Sequence, residues 1–281
     1  MEENRRLSKR LRRKRLGKRV SNVYAAIIYA FIYVPIAVMV IFSFNDQLNN
    51  YYWVGFTTKW YVKLFSGSEL WGYLWNSLVV AVLATIISVI IGTLGAMGLM
   101  RFEFMLKKVI NSSLYIPVII PEIVMGISLL MLYQICNFPL GLPAVTLAHI
   151  TFCAPFVVII MRGRMSGMDL SVEEASMDLG ANRLETFFRI TVPMLVPGLL
   201  SSAFMAFTLS IDDVIITNFV AGPYSTTLPV KILSMVKMGL HPDVNALTTI
   251  MIAVLILGIL VNNLVQAALR KRSMGTVKTY F

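Results

Sequence analysis

VINSSLYIPVIIPEIVMGISLLMLYQICNFPLGLPAVTLAHITFCAPFVVIIM, residues 109–161, carries a single charged side chain, Glu122. A helix rises ~1.5 Å per residue and crosses about 30 Å of hydrocarbon in roughly 20 residues, so this stretch is far too long for one crossing and must turn. The punctuation Pro139-Leu-Gly-Leu-Pro143 places the turn and gives spans near 109–136 and 143–162. Working outward, stretches without Lys, Arg, Asp or Glu run from Val20 to Asn45, from Leu70 to Met100 and from Val244 to Leu269, and an apolar stretch from Val196 to Ala221 encloses Asp212-Asp213. The spacing predicts an all-α integral membrane protein with six transmembrane helices, at about 23–44, 72–99, 109–136, 143–162, 196–221 and 244–269. A basic tail, 1–22, precedes the 23–270 membrane domain, and a short tail, 271–281, follows it.

Composition agrees. The 281 residues are 57% hydrophobic and 14% charged, with mean hydropathy +0.75, against roughly 45–50% and about 25% for soluble chains. Of the 25 Lys and Arg, ten lie in the first 22 residues, so the net charge of +11 is mostly a tail. Cytoplasmic segments retain Lys and Arg. With both termini inside, the inner segments hold 21 of these cations and the outer loops only four, Lys59, Lys63, Lys231 and Lys237, which predicts N-in, C-in topology. The first apolar stretch ends in Phe42-Ser-Phe-Asn45 without a small-x-small cleavage site, so it reads as a membrane helix and not a signal peptide. The tail reads as a topology determinant attracted to anionic lipid, with no nucleic-acid partner. Cys136 and Cys153 sit in apolar surroundings, and with only His149 and His241 besides, neither a disulfide framework nor a structural zinc site is expected.

All four tryptophans, Trp53, Trp60, Trp71 and Trp75, fall in one outer segment with Tyr51, Tyr52, Phe56, Tyr61, Phe65 and Tyr73. They form either an interfacial aromatic belt or, Trp53 among them, a set of π faces that hold a cation at the pathway mouth.

The inner loop between the fourth and fifth spans, 163–195, is patterned as two capped helices. Ser171-Val-Glu-Glu174 is a capping box, and Gly180 suits the left-handed residue that ends a helix over Val172 to Leu179. Asn182-Arg-Leu-Glu185 repeats the start signal for a second helix, which runs to Ile190 and stops before Pro193. Ala175 and Leu179 share a face while Glu173, Glu174 and Asp178 lie largely elsewhere, a small apolar knob with an acidic flank suited to a cleft on another protein.

Glu174-Ala175-Ser176, three residues, Gly180, nine residues and Ile190-Thr-Val-Pro193 resemble the EAA loop of the membrane subunits of bacterial ABC importers, E-A-A-x3-G-x9-I-x-L-P. Ser176 stands for the second Ala and Val192 for Leu, both conservative in size. The resemblance implies the permease fold of type I importers in the bacterial inner membrane, and makes Glu173, Glu174, Ala175, Ser176, Asp178, Leu179, Gly180, Ile190 and Pro193 the residues that couple the chain to a separate ATPase dimer. It implies too a second permease, a distinct homologous chain, and an extracytoplasmic solute-binding protein that meets the outer loops, 46–70 and 222–243. The chain has no G-x-x-x-x-G-K-[ST] loop and no nucleophile-base constellation, so it is expected to be no enzyme and to bind no cofactor, ATP and magnesium residing on the partner ATPase.

Glu122, Asp212 and Asp213 would each cost roughly 2.5–3.5 kcal/mol at mid-bilayer on insertion scales, so they face a water-filled path or a partner. Helix residues in succession point about 100° apart, so Asp212 and Asp213 diverge, one to the path and one to a neighbouring helix or backbone. Either the acids are structural, or they form a relay for a cationic solute with Ser210 and Asn218 as neutral partners. Pro117 and Pro121 open the helix before Glu122. Phe207-Thr-Leu-Ser-Ile-Asp-Asp213, Asn218-Phe-Val-Ala-Gly222, Thr226-Thr-Leu-Pro229, Phe44-Asn45 and Trp60-Tyr61 resemble the second permease of the spermidine/putrescine branch. Permeases for iron(III), thiamine, phosphonates or opines have similar segments. A gradient-driven carrier or channel is the rival of another class, but inverted repeats with paired broken helices are not found.

Overall fold

The computed structural model describes residues 2–47, 52–169, 171–238 and 242–277, with side chains described between 18 and 261, residues 19 and 259 apart. Tyr51 and His241 of the sequence reading lie outside the described residues. Among them every regular element is helical, save one isolated bridge between Asn45 and Phe56. Contacts divide the chain into two compact units, 1–68 with 239–281, and 69–238.

The larger unit is built on three long helices, α3 (Leu70–Arg101), α7 (Leu142–Met165) and α10 (Val192–Ile211). Apolar surface does not drive helices together where lipid is equally apolar, and close approach must come from small side chains. α3 supplies them one turn apart at Ala84, Ser88, Gly92 and Ala96, all buried. A Cβ on Gly92 would sit 2.6 Å from Val157 Cβ of α7, so the backbones meet there. α10 closes the triangle through Gly198, where a Cβ would stand 2.8 Å from Arg164 Cγ. Val145, Phe152, Val157, Met161, Leu195, Ala206 and Ile216 fill the core between them.

Two of the six expected spans are not continuous. The 109–136 span is three pieces, α4 (Lys107–Ser113), α5 (Ile116–Ile119) and α6 (Glu122–Ile135), and its two halves meet at 113°. Pro121 is the cause: the residue before a proline is pushed out of the helical region, and Ile120 is extended at ψ 134° with Pro121 at ψ 136°. The 196–221 span ends at Ile211 and restarts as α11 (Ile215–Val220), followed by α12 (Leu228–Met238). The turn predicted at 139–143 is present, entered through Asn137 at φ 51° and held by Tyr133 Oη donating to Ala144 O at 3.1 Å.

The smaller unit joins α1 (Glu2–Phe42), α2 (Lys59–Phe65) and α13 (Pro242–Val277). α1 fuses the basic tail and the first span into one helix, and no residue of the apolar portion, Val20–Phe42, is fully buried within the chain. Asn45 organises the segment after it, donating to Tyr52 O and accepting from Val54 N, both at 2.8 Å, while its carbonyl accepts from Trp60 Nε1 at 2.7 Å. Trp60 is therefore a core residue, 4% exposed, and neither a belt ring nor an open π face. Lys59 and Lys63 of the same helix stand over its ring at 4.7 and 5.7 Å. Among the described residues, four helices suit a crossing by length and composition, the bent pair makes a fifth, and Pro242–Gly258 is a shorter apolar segment of α13.

Candidate functional site

The loop between α7 and α10 forms α8 (Ser171–Asp178), α9 (Arg183–Thr186) and a π turn, Phe187–Thr191. Asp169 accepts from Ser171 N at 3.0 Å ahead of α8, which holds its carboxyl below the usual carboxylate range. Gly180 ends α8 at φ +92°, with Ala181 N donating to Ser176 O at 3.2 Å and Gly180 N to Met177 O at 2.9 Å. A β-branched residue in this left-handed conformation costs about 1–2 kcal/mol. Gly180→Val is accordingly expected to fray the end of α8 and lower uptake at an unchanged amount of assembled complex, checked by transport and pull-down of the ATPase; normal transport would contradict it. Asn182 and Glu185 form the reciprocal capping box, at 2.9 and 3.1 Å.

Two expectations for this loop are corrected. The second helix does not stop before Pro193: one wide turn, with Val192 N donating to Phe187 O, carries it into α10, and Pro193, which has no N–H to donate, stands directly after that turn. Glu173 is not on the exposed acidic flank. It is 8% exposed, paired with Arg101 Nη2 at 2.5 Å and accepting from Thr191 Oγ1 at 2.7 Å. It thus ties α8 to the end of α3 and to the π turn, beside a cavity of about 260 Å3 that Arg183, Thr186 and Phe187 also line. Glu174 and Asp178 do stand exposed, and so does the knob of Ala175 with Leu179, the latter 90% exposed. Leu184 and Phe188, in α9 and the π turn of the same loop, are exposed apolar side chains too, and the sequence reading missed them. Ser176 is half-buried and bonded to Thr186 Oγ1 at 3.2 Å, so the serine of the loop pattern fastens α8 to α9. Ile190 is half-buried.

The intramembrane acids separate as expected, but a break and not helical rotation separates them. Asp212 caps α10, its N–H reaching Thr208 O at 3.4 Å, and its side chain is exposed. Asp213 turns inward and opens α11: Oδ1 accepts from Ile216 N at 3.2 Å, and Oδ2 from Thr217 N at 2.8 Å and Thr217 Oγ1 at 2.7 Å. Glu122, exposed in the first turn of α6, lies within electrostatic reach of both. α6 and α11 meet where a Cβ on Gly126 would come within 2.7 Å of Phe219. Asn218 is exposed on α11, but Ser210, expected beside it on the path, is buried and bonded to His149 Nδ1 at 2.7 Å. Trp53 belongs to the other unit, half-exposed and edge-on to Phe42 at 6.3 Å. His149 is the residue that sequence reasoning missed. A lone histidine in an apolar helix gives no spacing signal, and only the fold brings Ser210, Thr217 and Asp213 around it.

Residues 88–274 match the family described as binding-protein-dependent transport system inner membrane component. Over 94% of its length the chain is 37% identical to the spermidine/putrescine transport system permease protein PotC of Escherichia coli K12, all of which is covered. It is 38% identical to the putrescine transport system permease protein PotI of the same strain, over 87% of this chain and 90% of that one. Its fold resembles a chain of a bacterial ABC transporter that imports the acidic polysaccharide alginate, with TM-score 0.69 at 15% identity over 89% of this chain and 96% of the other. A second alginate transporter structure, in complex with a periplasmic protein bound to alginate pentasaccharide, gives 0.65 at 19% identity over 88% and 92%. With two thirds of its length in the family match and near full-length relatives above the level at which family is in question, the chain belongs to the inner membrane components of binding-protein-dependent transport systems.

Proposed function

We propose that the chain is one of two permease subunits lining the path of an ATP-binding-cassette importer that brings polyamines, spermidine and putrescine, into the cell. The observation that carries the reading is the exposed carboxylate pair of Asp212 and Glu122, set at the breaks of two interrupted spans and unmatched by a cation among their described contacts. Linear polycations are the solutes such a surface favours, and the permeases PotC and PotI are named for the same solutes. Both termini face the cytoplasm in this reading. The knob of Ala175 and Leu179 seats in a groove of the ATPase dimer, a distinct homologous permease completes the path, and a solute-binding protein delivers polyamine from outside.

The test is ATP-dependent uptake of labelled spermidine and putrescine into vesicles holding this chain with its partner permease, ATPase and binding protein, against vesicles lacking this chain alone. Uptake that requires the chain and ATP is expected. Uptake of another solute only would overturn the polyamine reading, and uptake without ATP would overturn the importer itself. Within that assay Asp212→Asn is expected to remove a charged contact worth about 1.5–3 kcal/mol and lower uptake about tenfold or more with the complex intact. Asp213→Asn is expected to act on assembly instead, because its oxygens already serve α11. Equal and silent variants would remove the carboxylates from the path.

A further inference from the structure

We propose that His149 is a positioning residue for transport: it clamps Asp213 across the break between α10 and α11, and so sets where Asp212 and Asn218 stand on the path. The inference rests on the path proposed above, although no residue of the clamp touches the solute. The imidazole is 1% exposed, about two turns into α7, and reaches both sides of the break at once. Nδ1 meets Ser210 Oγ in the last turn of α10 at 2.7 Å, and Nε2 meets Thr217 Oγ1 of α11 at 2.9 Å and Asp213 Oδ2 at 3.2 Å.

Donor accounting fixes the direction of the chain of bonds. Thr217 has one hydroxyl hydrogen and gives it to Asp213. Its oxygen can therefore only accept from His149, so Nε2 carries a hydrogen. With Nδ1 accepting from Ser210, every partner in the cluster is satisfied, as a buried polar group requires. The sequence Ser210, His149, Asp213 has the order of a hydrolytic triad, but Ser210 is buried with its hydroxyl on the imidazole. Its place is mechanical. Two span fragments meet at a point with no continuous helical backbone, and the imidazole supplies the connection the missing backbone bonds would have made. Asp213, with both oxygens engaged, is withdrawn from the solute, leaving Asp212 and Glu122 to meet it.

The test compares His149→Leu, His149→Gln and His149→Asn in the full transport complex, reading polyamine moved per ATP hydrolysed. The glutamine amide reaches the Thr217 and Asp213 side, and the asparagine amide the Ser210 side. His149→Leu is expected to lower the ratio about tenfold or more, the scale on which a displaced positioning group acts, and glutamine to restore most of it where asparagine does not. Glutamine no better than asparagine overturns the clamp, and this comparison stands even if leucine prevents assembly. A second readout needs no solute. With Cys136→Ser removing the exposed native thiol, the labelling rate of Asp212→Cys by a trimethylammonium methanethiosulfonate is expected to change several-fold on adding His149→Leu and to return with His149→Gln. An unchanged rate overturns the clamp whatever is transported. A changed rate in a complex that does not import polyamine leaves the clamp standing and removes the solute assignment instead.

Discussion

A Glu173→Leu variant is expected to hydrolyse ATP with its partner without moving solute. Glu173 is the one side chain of α8 that reaches both α3, through Arg101, and the start of α10, through Thr191. Removing it leaves a buried threonine hydroxyl and a guanidinium that is 33% exposed without their acceptor. A fully buried pair broken in this way costs about 3–5 kcal/mol. Water at Arg101 lowers the figure to about 1–3 kcal/mol. That is enough to detach α8, the proposed docking helix, from α3 and the π turn, and too little to unfold the unit. Uptake and ATPase rates in proteoliposomes measure it, and the exchange of Arg101→Glu with Glu173→Arg is expected to recover part of the coupling that each single change loses. Normal solute transport per ATP in Glu173→Leu would show that the thrust of the ATPase enters the membrane elsewhere.

The second large effect is at Gly92, where leucine is expected to keep the chain from accumulating in the membrane. The atom it meets is Val157 Cβ at 2.6 Å, with Ala154 O at 3.1 Å, and neither can swing away because both are fixed to the α7 backbone. The helices must separate along the contact that holds the larger unit, an overpacking cost of about 1–3 kcal/mol or more. Gly98, two turns on, faces open space, so Gly98→Ala is the control and is expected to be tolerated. Membrane levels and the thermal stability of detergent-solubilised protein compare the two. Equal stability would mean that the α3 to α7 contact yields.

Which parts could be read from residues alone follows from the range of the signals. Apolar length finds long apolar helices, because the bilayer imposes it locally, and the Asn182 and Glu185 box finds the start of α9, because caps act within four positions; Ser171 opens α8 with its amide on Asp169 and not through a box with Glu174. The 109–136 span was legible as apolar but not as bent: Pro117 and Pro121 predict a local opening at the place where the chain breaks, whereas the letters carry no angle and so not the 113° of the bend. Glu173 and Glu174 are indistinguishable as letters. Arg101, far away in the chain, and Thr191 make the first internal, and the second stays exposed. Trp60 belonged to an aromatic cluster until Asn45 claimed its indole N–H. The unequal roles of Asp212 and Asp213 were anticipated on a false premise, a continuous helix. Asp213 itself ends that continuity by drawing the amides of Ile216 and Thr217 to its carboxylate.

The wide turn at Phe187–Thr191 works as a phase shifter. Buried positions along this segment fall at Thr186, Thr191, Leu195, Gly198, Ser202, Ala206 and Ser210. They step by three or four everywhere except across the turn, where the step is five. One surplus residue rotates everything beyond it by about 100°, so that the face seated among the loop helices and the face seated among the spans lie on a single azimuth. The loop and the span are thereby one shaft with its key cut in register from Thr186 to Ser210.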